Sequence, residues 1–158
     1  MATLNVYCQI EGMPGECVEQ NHKDWCVVLG FDHQVEYPFD SREQRGKGEP
    51  QHAGVTVVKP LDAASPLLAE ACAKKKKVNK VVLEFTRDNP EGGGTQKYYI
   101  VTLEDCRVIK IRPRMVEDVG AAAEYPHVEE VSFSYRKIVW KQDPKSKETQ
   151  FDFSNPTG

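Results

Sequence analysis

The stretch Lys97-Tyr98-Tyr99-Ile100-Val101-Thr102-Leu103-Glu104-Asp105-Cys106-Arg107-Val108-Ile109-Lys110-Ile111 decides the fold. It reads as one long β-strand, with a bulge expected near Glu104-Asp105-Cys106 and a stop at Pro113, which cannot donate to a ladder. Just upstream, Val81, Leu83 and Phe85 share one face of a second strand over residues 81–87, the period-two pattern of a half-buried strand. Asp88-Asn89-Pro90-Glu91-Gly92-Gly93-Gly94 lies between the two and has turn chemistry throughout, so the pair is read as a hairpin.

Working outward, residues 128–142 read as another long strand, alternating at Val131, Phe133 and Tyr135, after a break at Tyr125-Pro126-His127. A turn over residues 143–147 leads into a short last strand, residues 149–153. Toward the N-terminus, Leu4, Val6, Cys8 and Ile10 share a face, and Gly12-Met13-Pro14-Gly15 ends that strand. Residues 25–31 form a near-continuous apolar strand that runs on into the polar alternation Asp32-His33-Gln34-Val35-Glu36-Tyr37, and Val55-Thr56-Val57-Val58 is a further strand. One helix is predicted, with Ser65 as N-cap and Pro66 at the first helical position. Leu67, Leu68, Ala71 and Cys72 form its apolar stripe, and Lys74-Lys77 sit at its C-terminal end, where the helix dipole favours cations. Residues 38–54 show no periodicity, and a loop that long in a compact domain needs a function or a partner.

Composition agrees with this inventory. The chain has 158 residues, 39% hydrophobic and 28% charged, which fits one domain with a real core, taken as residues 1–153 with a frayed tail at 154–158. Ten prolines and eleven glycines favour short β segments over long helices. A net charge of −3 sets up no field that calls for nucleic acid or an acidic membrane. No apolar run approaches the ~20 residues that span a bilayer, and the first twenty residues lack a signal-peptide pattern. The expectation is a protein made in the cytoplasm and exported, if at all, by a dedicated route. Five cysteines without Cys-x-x-Cys spacing point to buried thiols, not to a disulfide framework or a metal site.

Chemistry is sparse. His22, His33, His52 and His127 are scattered, with no His-Glu-x-x-His and no nucleophile elbow, and isolated histidines of this kind are read as surface or capping residues. Gly46-Lys47-Gly48 lacks the phosphate-loop frame, and Gly92-Gly93-Gly94 sits between strands with no helix to follow. No catalytic residue, metal or cofactor is assigned. The residues alone leave a β-barrel or sandwich with one packed helix, suited to assembly or binding.

Four segments, taken in order, resemble the Hcp (haemolysin-coregulated protein) family of type VI secretion. They are Gly15-Glu16-Cys17 with His22-Lys23 and Val27-Val28-Leu29-Gly30-Phe31; Lys59-Pro60-Leu61-Asp62-Ala63-Ala64-Ser65-Pro66-Leu67-Leu68; Lys97 through Val108; and Val128-Glu129-Glu130-Val131-Ser132-Phe133-Ser134-Tyr135 with Ile138-Val139-Trp140. The resemblance spans nearly the whole chain, with Cys17 where the family commonly has serine. It implies a mainly-β fold, a β-barrel of two antiparallel sheets with one flanking α-helix, similar to phage tail-tube proteins. It also implies hexameric rings that stack into a tube inside a contractile sheath, tipped by a spike, with small effector proteins carried in the lumen. On that reading, loop 38–54 is the inter-subunit or ring-stacking element, through Phe39, Asp40, Arg42, Glu43, Arg45, Lys47 and Glu49, and Asp32, Gln34 and Glu36 face the lumen. A phage-type tail-tube subunit and a small-ligand-binding β-barrel are the alternatives.

Overall fold

The computed structural model describes residues 5–115 and 127–157. Leu4 and the expected break at Tyr125-Pro126 lie outside the described residues. The central hairpin pairs β9 (Lys77–Asp88) with β10 (Thr95–Met115). On the far side of β9 lies β1 (Asn5–Ile10), and beyond it β2 (Cys26–Val28). On the far side of β10 lie two strands in tandem. β11 (His127–Ser134) takes its C-terminal half, and β12 (Lys137–Gln142) takes its N-terminal half. β11 leads to β8 (Val55–Pro60) and then β3 (Gly30–Asp32), while β12 leads to β13 (Lys147–Asp152). Every pairing is antiparallel, and together they make one nine-stranded sheet.

The mainly-β fold with one helix is thus the fold found, but its sheet arrangement differs from the expected barrel of two sheets. The path runs β2-β1-β9-β10-β11-β8-β3, and its two ends, β2 and β3, are separated in the chain by Leu29 alone. Leu29 N–H donates to Val58 O at 2.7 Å, yet no ladder joins β2 to β8, so the sheet wraps round without closing. The apolar run 25–31, read as one strand, therefore serves both ends of the sheet and breaks between them.

The expected long strand 128–142 is likewise two strands. Arg107 pairs with Ser134 and Glu104 with Lys137, one continuous register interrupted at Tyr135-Arg136. Opposite the interruption, Asp105 has φ 53°, and Arg136 Nε donates to its carboxylate at 2.5 Å. Arg136 Nη1 also reaches Asp152 at 2.8 Å, so one guanidinium ties the β11/β12 junction to β10 and β13. The ladder irregularities fall at Lys97/Tyr99 and Val108/Lys110, not at Glu104-Cys106, and Pro113 does not stop β10, which runs on to Met115. Pro113 is tolerated because β9 ends its pairing at Arg107, leaving that half of β10 with β11 as its one partner among the described residues.

The alternating inner faces make the core: Cys8 and Ile10 from β1, Val81 and Leu83 from β9, Val101 and Leu103 from β10, Val131 and Phe133 from β11, Ile138 from β12. Helix α1 (Ser65–Ala73) covers this core with Leu68 and Ala71. Ser65 is not its cap: the cap position is Ala64, and no side chain caps it. The Ser65 hydroxyl instead accepts from Asp62 N–H at 2.9 Å, and Asp62 Oδ1 accepts from Ala64 N–H at 3.0 Å. A buried lysine organises this turn. Lys59, fully buried, donates from Nζ to Asp62 Oδ1 at 2.8 Å and to Pro60 O at 3.0 Å, and sits 3.5 Å from the equally buried Glu129 facing it across the β8–β11 ladder. Such a pair adds little net stability, but losing one partner strands the other charge in the core.

Candidate assembly surface

The stretch 38–54 is not a structureless loop. Val35–Glu36 (β4) pairs with Gln51–His52 (β7), and Phe39–Asp40 (β5) pairs with Arg45–Gly46 (β6), making a two-tier hairpin arm. Lys47 N–H donates to Pro38 O at 2.7 Å and Ala53 N–H to Gln34 O at 2.9 Å, so the backbone pairs from tip to root. At the tip, Asp40 Oδ1 accepts from Arg42 N–H at 2.9 Å and Glu43 N–H at 3.3 Å, the Asx-type turn that aspartate favours. Gly46 is required by a close approach. A Cβ there would lie 2.4 Å from the Tyr37 ring, which packs on the bare backbone.

The arm's charges largely answer one another. Glu43 pairs with Arg45 at 2.9 Å and Asp40 with Lys47 at 3.9 Å, while Arg42 and Glu49 have no ionic partner among the described residues. Both pairs are mostly exposed and screened, and hold the arm's shape only weakly. The unexplained groups are apolar. Val35, Tyr37 and Phe39 alternate along the arm and are 45%, 59% and 62% exposed. A reading that followed the charges picked out Phe39 and passed over Val35 and Tyr37, though their period-two spacing is plain in the sequence.

Beyond Arg107, one edge of β10 has no strand beside it among the described residues, and Ile109 and Met115 there are 55% and 67% exposed. An unpaired edge of this kind is a template for another strand. The outward face of the same strands carries a cross-strand row, Asp32-Thr56-Ser132-Lys110, with Thr56 and Ser132 hydroxyls 2.8 Å apart. Register therefore places Asp32 on the exposed face that also bears Lys110, and Lys110 draws the Glu130 carboxyl below its usual range from 2.7 Å. Gln34 and Glu36 are exposed and joined at 3.2 Å.

Of the four histidines, His127 is exposed as expected, while His22, His33 and His52 depart from the surface role. His22 is buried, stacked on Tyr7 at 3.9 Å, and its ring nitrogens meet the carboxylates of Glu19 and Glu84, locking the 3-10 turn Gln20–His22 onto β9. His33 and His52, at the two roots of the arm, both meet the Tyr135 hydroxyl, at 2.9 and 2.6 Å. Burial lowers the pKa of both imidazoles and pushes the Tyr135 phenol up to about 12. Burial also pushes the Cys8 and Cys106 thiols up to about 12, which makes them packing groups and poor nucleophiles. Among the described residues no cluster of His, Cys, Asp or Glu could hold a metal ion, and no helix is long and apolar enough to cross a membrane.

Comparison with known proteins bears on what such a surface serves. The family described as "Type VI secretion system effector, Hcp" matches residues 7–142. The major exported protein of Pseudomonas aeruginosa is 33% identical over 149 residues, covering 92% of this chain and 85% of the relative. Among solved structures, an Hcp protein superposes with a TM-score of 0.85 at 22% identity, covering 95% of this chain and 98% of the other. Hcp1 of Escherichia coli EAEC 042 gives 0.79 at 20%, covering 95% and 97%.

Proposed function

The chain belongs to the Hcp family of type VI secretion proteins, a family of secreted tube proteins and not of enzymes, and from that premise we propose that it forms hexameric rings that stack into the secretion tube. The observation that carries this reading is the arm. It is a folded hairpin whose apolar residues Val35, Tyr37 and Phe39 remain 45–62% exposed in their own subunit. A neighbouring copy would cover them, and the half of β10 that has no strand on one side among the described residues offers it an edge. Closed cyclic symmetry leaves no such edge exposed, which is the physical advantage of a ring over a free subunit.

In the stacked tube, Phe39 would anchor the ring contact, with Arg42 and Glu49 as its polar rim; Asp40, Glu43, Arg45 and Lys47 set the arm's shape. The row that begins at Asp32 would face the lumen together with Gln34 and Glu36, where small effectors travel. Sheath and spike would engage the outside and the end of the tube. Native mass spectrometry with negative-stain imaging of the purified protein tests the ring: a hexameric mass and rings with an open centre are expected, and a monomer at every concentration would contradict the reading. For the lumen, Gln34→Cys in a Cys72→Ser background should label slowly in tubes and fast in free subunits; equal rates would place position 34 elsewhere.

A further inference from the structure

We propose that His33, Tyr135 and His52 form a pH-sensitive latch that fixes the arm's direction at neutral pH and releases it in mild acid. The arm leaves the body through two chain crossings. His33 stands just before β4 and His52 closes β7, and both imidazoles bind one hydroxyl, that of Tyr135, at 2.9 and 2.6 Å. Tyr135 in turn sits at the β11/β12 junction, 9% exposed. Among the described residues the arm's strands β4 to β7 pair only with one another, so this hydroxyl is the polar tie that joins both roots to the body.

The proton count explains why the tie is conditional. A phenol has one proton to donate and lone pairs to accept. With both imidazoles neutral, Tyr135 donates to one ring nitrogen and accepts an N–H from the other, so every group is satisfied. Protonating the accepting imidazole turns it into a donor. The phenol proton then has no partner, and two N–H groups converge on one oxygen. Protonating both adds two like charges across that oxygen. The surroundings offer little relief. Trp140 of β12 lies against His33, and Phe151 and Phe153 lie against His52. Burial and the charge of a protonated His52 oppose the His33 cation, and the Asp32 carboxylate favours it.

The sign follows. Both imidazoles hold pKa values below the usual ~6.5 in the latched state. The latch is therefore at full strength above pH ~6.5 and is lost as pH falls through the lowered values. Amide hydrogen exchange of the assembled protein at pH 7.5 and 5.5, corrected for the intrinsic pH dependence, reads this directly. Opening in acid should speed arm peptides over residues 34–53 by up to about tenfold per pH unit for each imidazole between pH ~6.5 and the lowered values, levelling off below them, with β9 peptides unchanged. The pair His33→Gln and His52→Gln, which can still bond the phenol but cannot titrate, should abolish the acid response. Tyr135→Phe should leave the arm fast at both pH values. An arm whose corrected exchange is the same at both pH values would overturn the proposal. So would an equal acid response in the glutamine pair, which would assign the change to ring dissociation instead.

Discussion

The body and the arm are both antiparallel hairpins, but they are held by opposite means. In the β9–β10 hairpin Val81, Leu83, Val101 and Leu103 are buried in the core that α1 covers, with Phe85 and Tyr99 partly buried against it. In the arm, backbone pairing is confined to two ladders of two residue pairs each, and Val35, Tyr37 and Phe39 lie largely exposed while the charges pair near the surface. Burial supplies stability that belongs to one subunit; on the proposed reading, the arm's apolar surface would gain it against another copy. The comparison separates what folds the protein from what, on the proposed reading, would assemble it.

The largest effect expected from breaking that contrast is in the body. Phe133→Ala should cost about 3–5 kcal/mol and lower Tm by roughly 10 °C in a thermal melt. Lys59→Met, which strands Glu129 and Asp62 in the core, should cost a similar ~3–5 kcal/mol, and adding Glu129→Leu should restore much of the loss in the same melt. Next comes acid. Because the His33 and His52 values are lowered, denaturant midpoints should fall as pH drops below ~6.5, and less so in the glutamine pair. The smallest effect on the fold is expected at the tip. Arg42→Ala should leave Tm within ~0.5 kcal/mol-equivalent of the parent and change only the salt dependence of stacking, seen by light scattering.

The same contrast explains what could be read from sequence. Period-two apolar patterns at Val6-Cys8-Ile10, Val81-Leu83-Phe85 and Val131-Phe133 mark the body strands because one face of each is buried. The helix was legible from Pro66 and from Leu68 and Ala71, which are buried, whereas Leu67 of the expected stripe is 41% exposed. Its cap was not, because Ser65 is drawn into the turn by Lys59 and Asp62, a tertiary arrangement with no local signal. The split of 128–142 depends on Arg136 reaching Asp105 and Asp152, far away in the chain. The arm escaped for a different reason. Its strands are two residues each and its apolar face is not buried in the subunit, so charge dominated the pattern. His33 and His52 gave no hint of sharing Tyr135, which lies 102 and 83 residues further along the chain.

The claim that the arm serves assembly and not folding is tested most directly by native mass spectrometry of Tyr37→Ser/Phe39→Ser beside the parent protein, each with its melting curve. The account predicts a parent that forms rings and higher stacks, and a variant with an unchanged melting temperature whose stacks are lost. A variant that stacks as the parent does would contradict the account, and so would one whose melting temperature collapses along with its assembly.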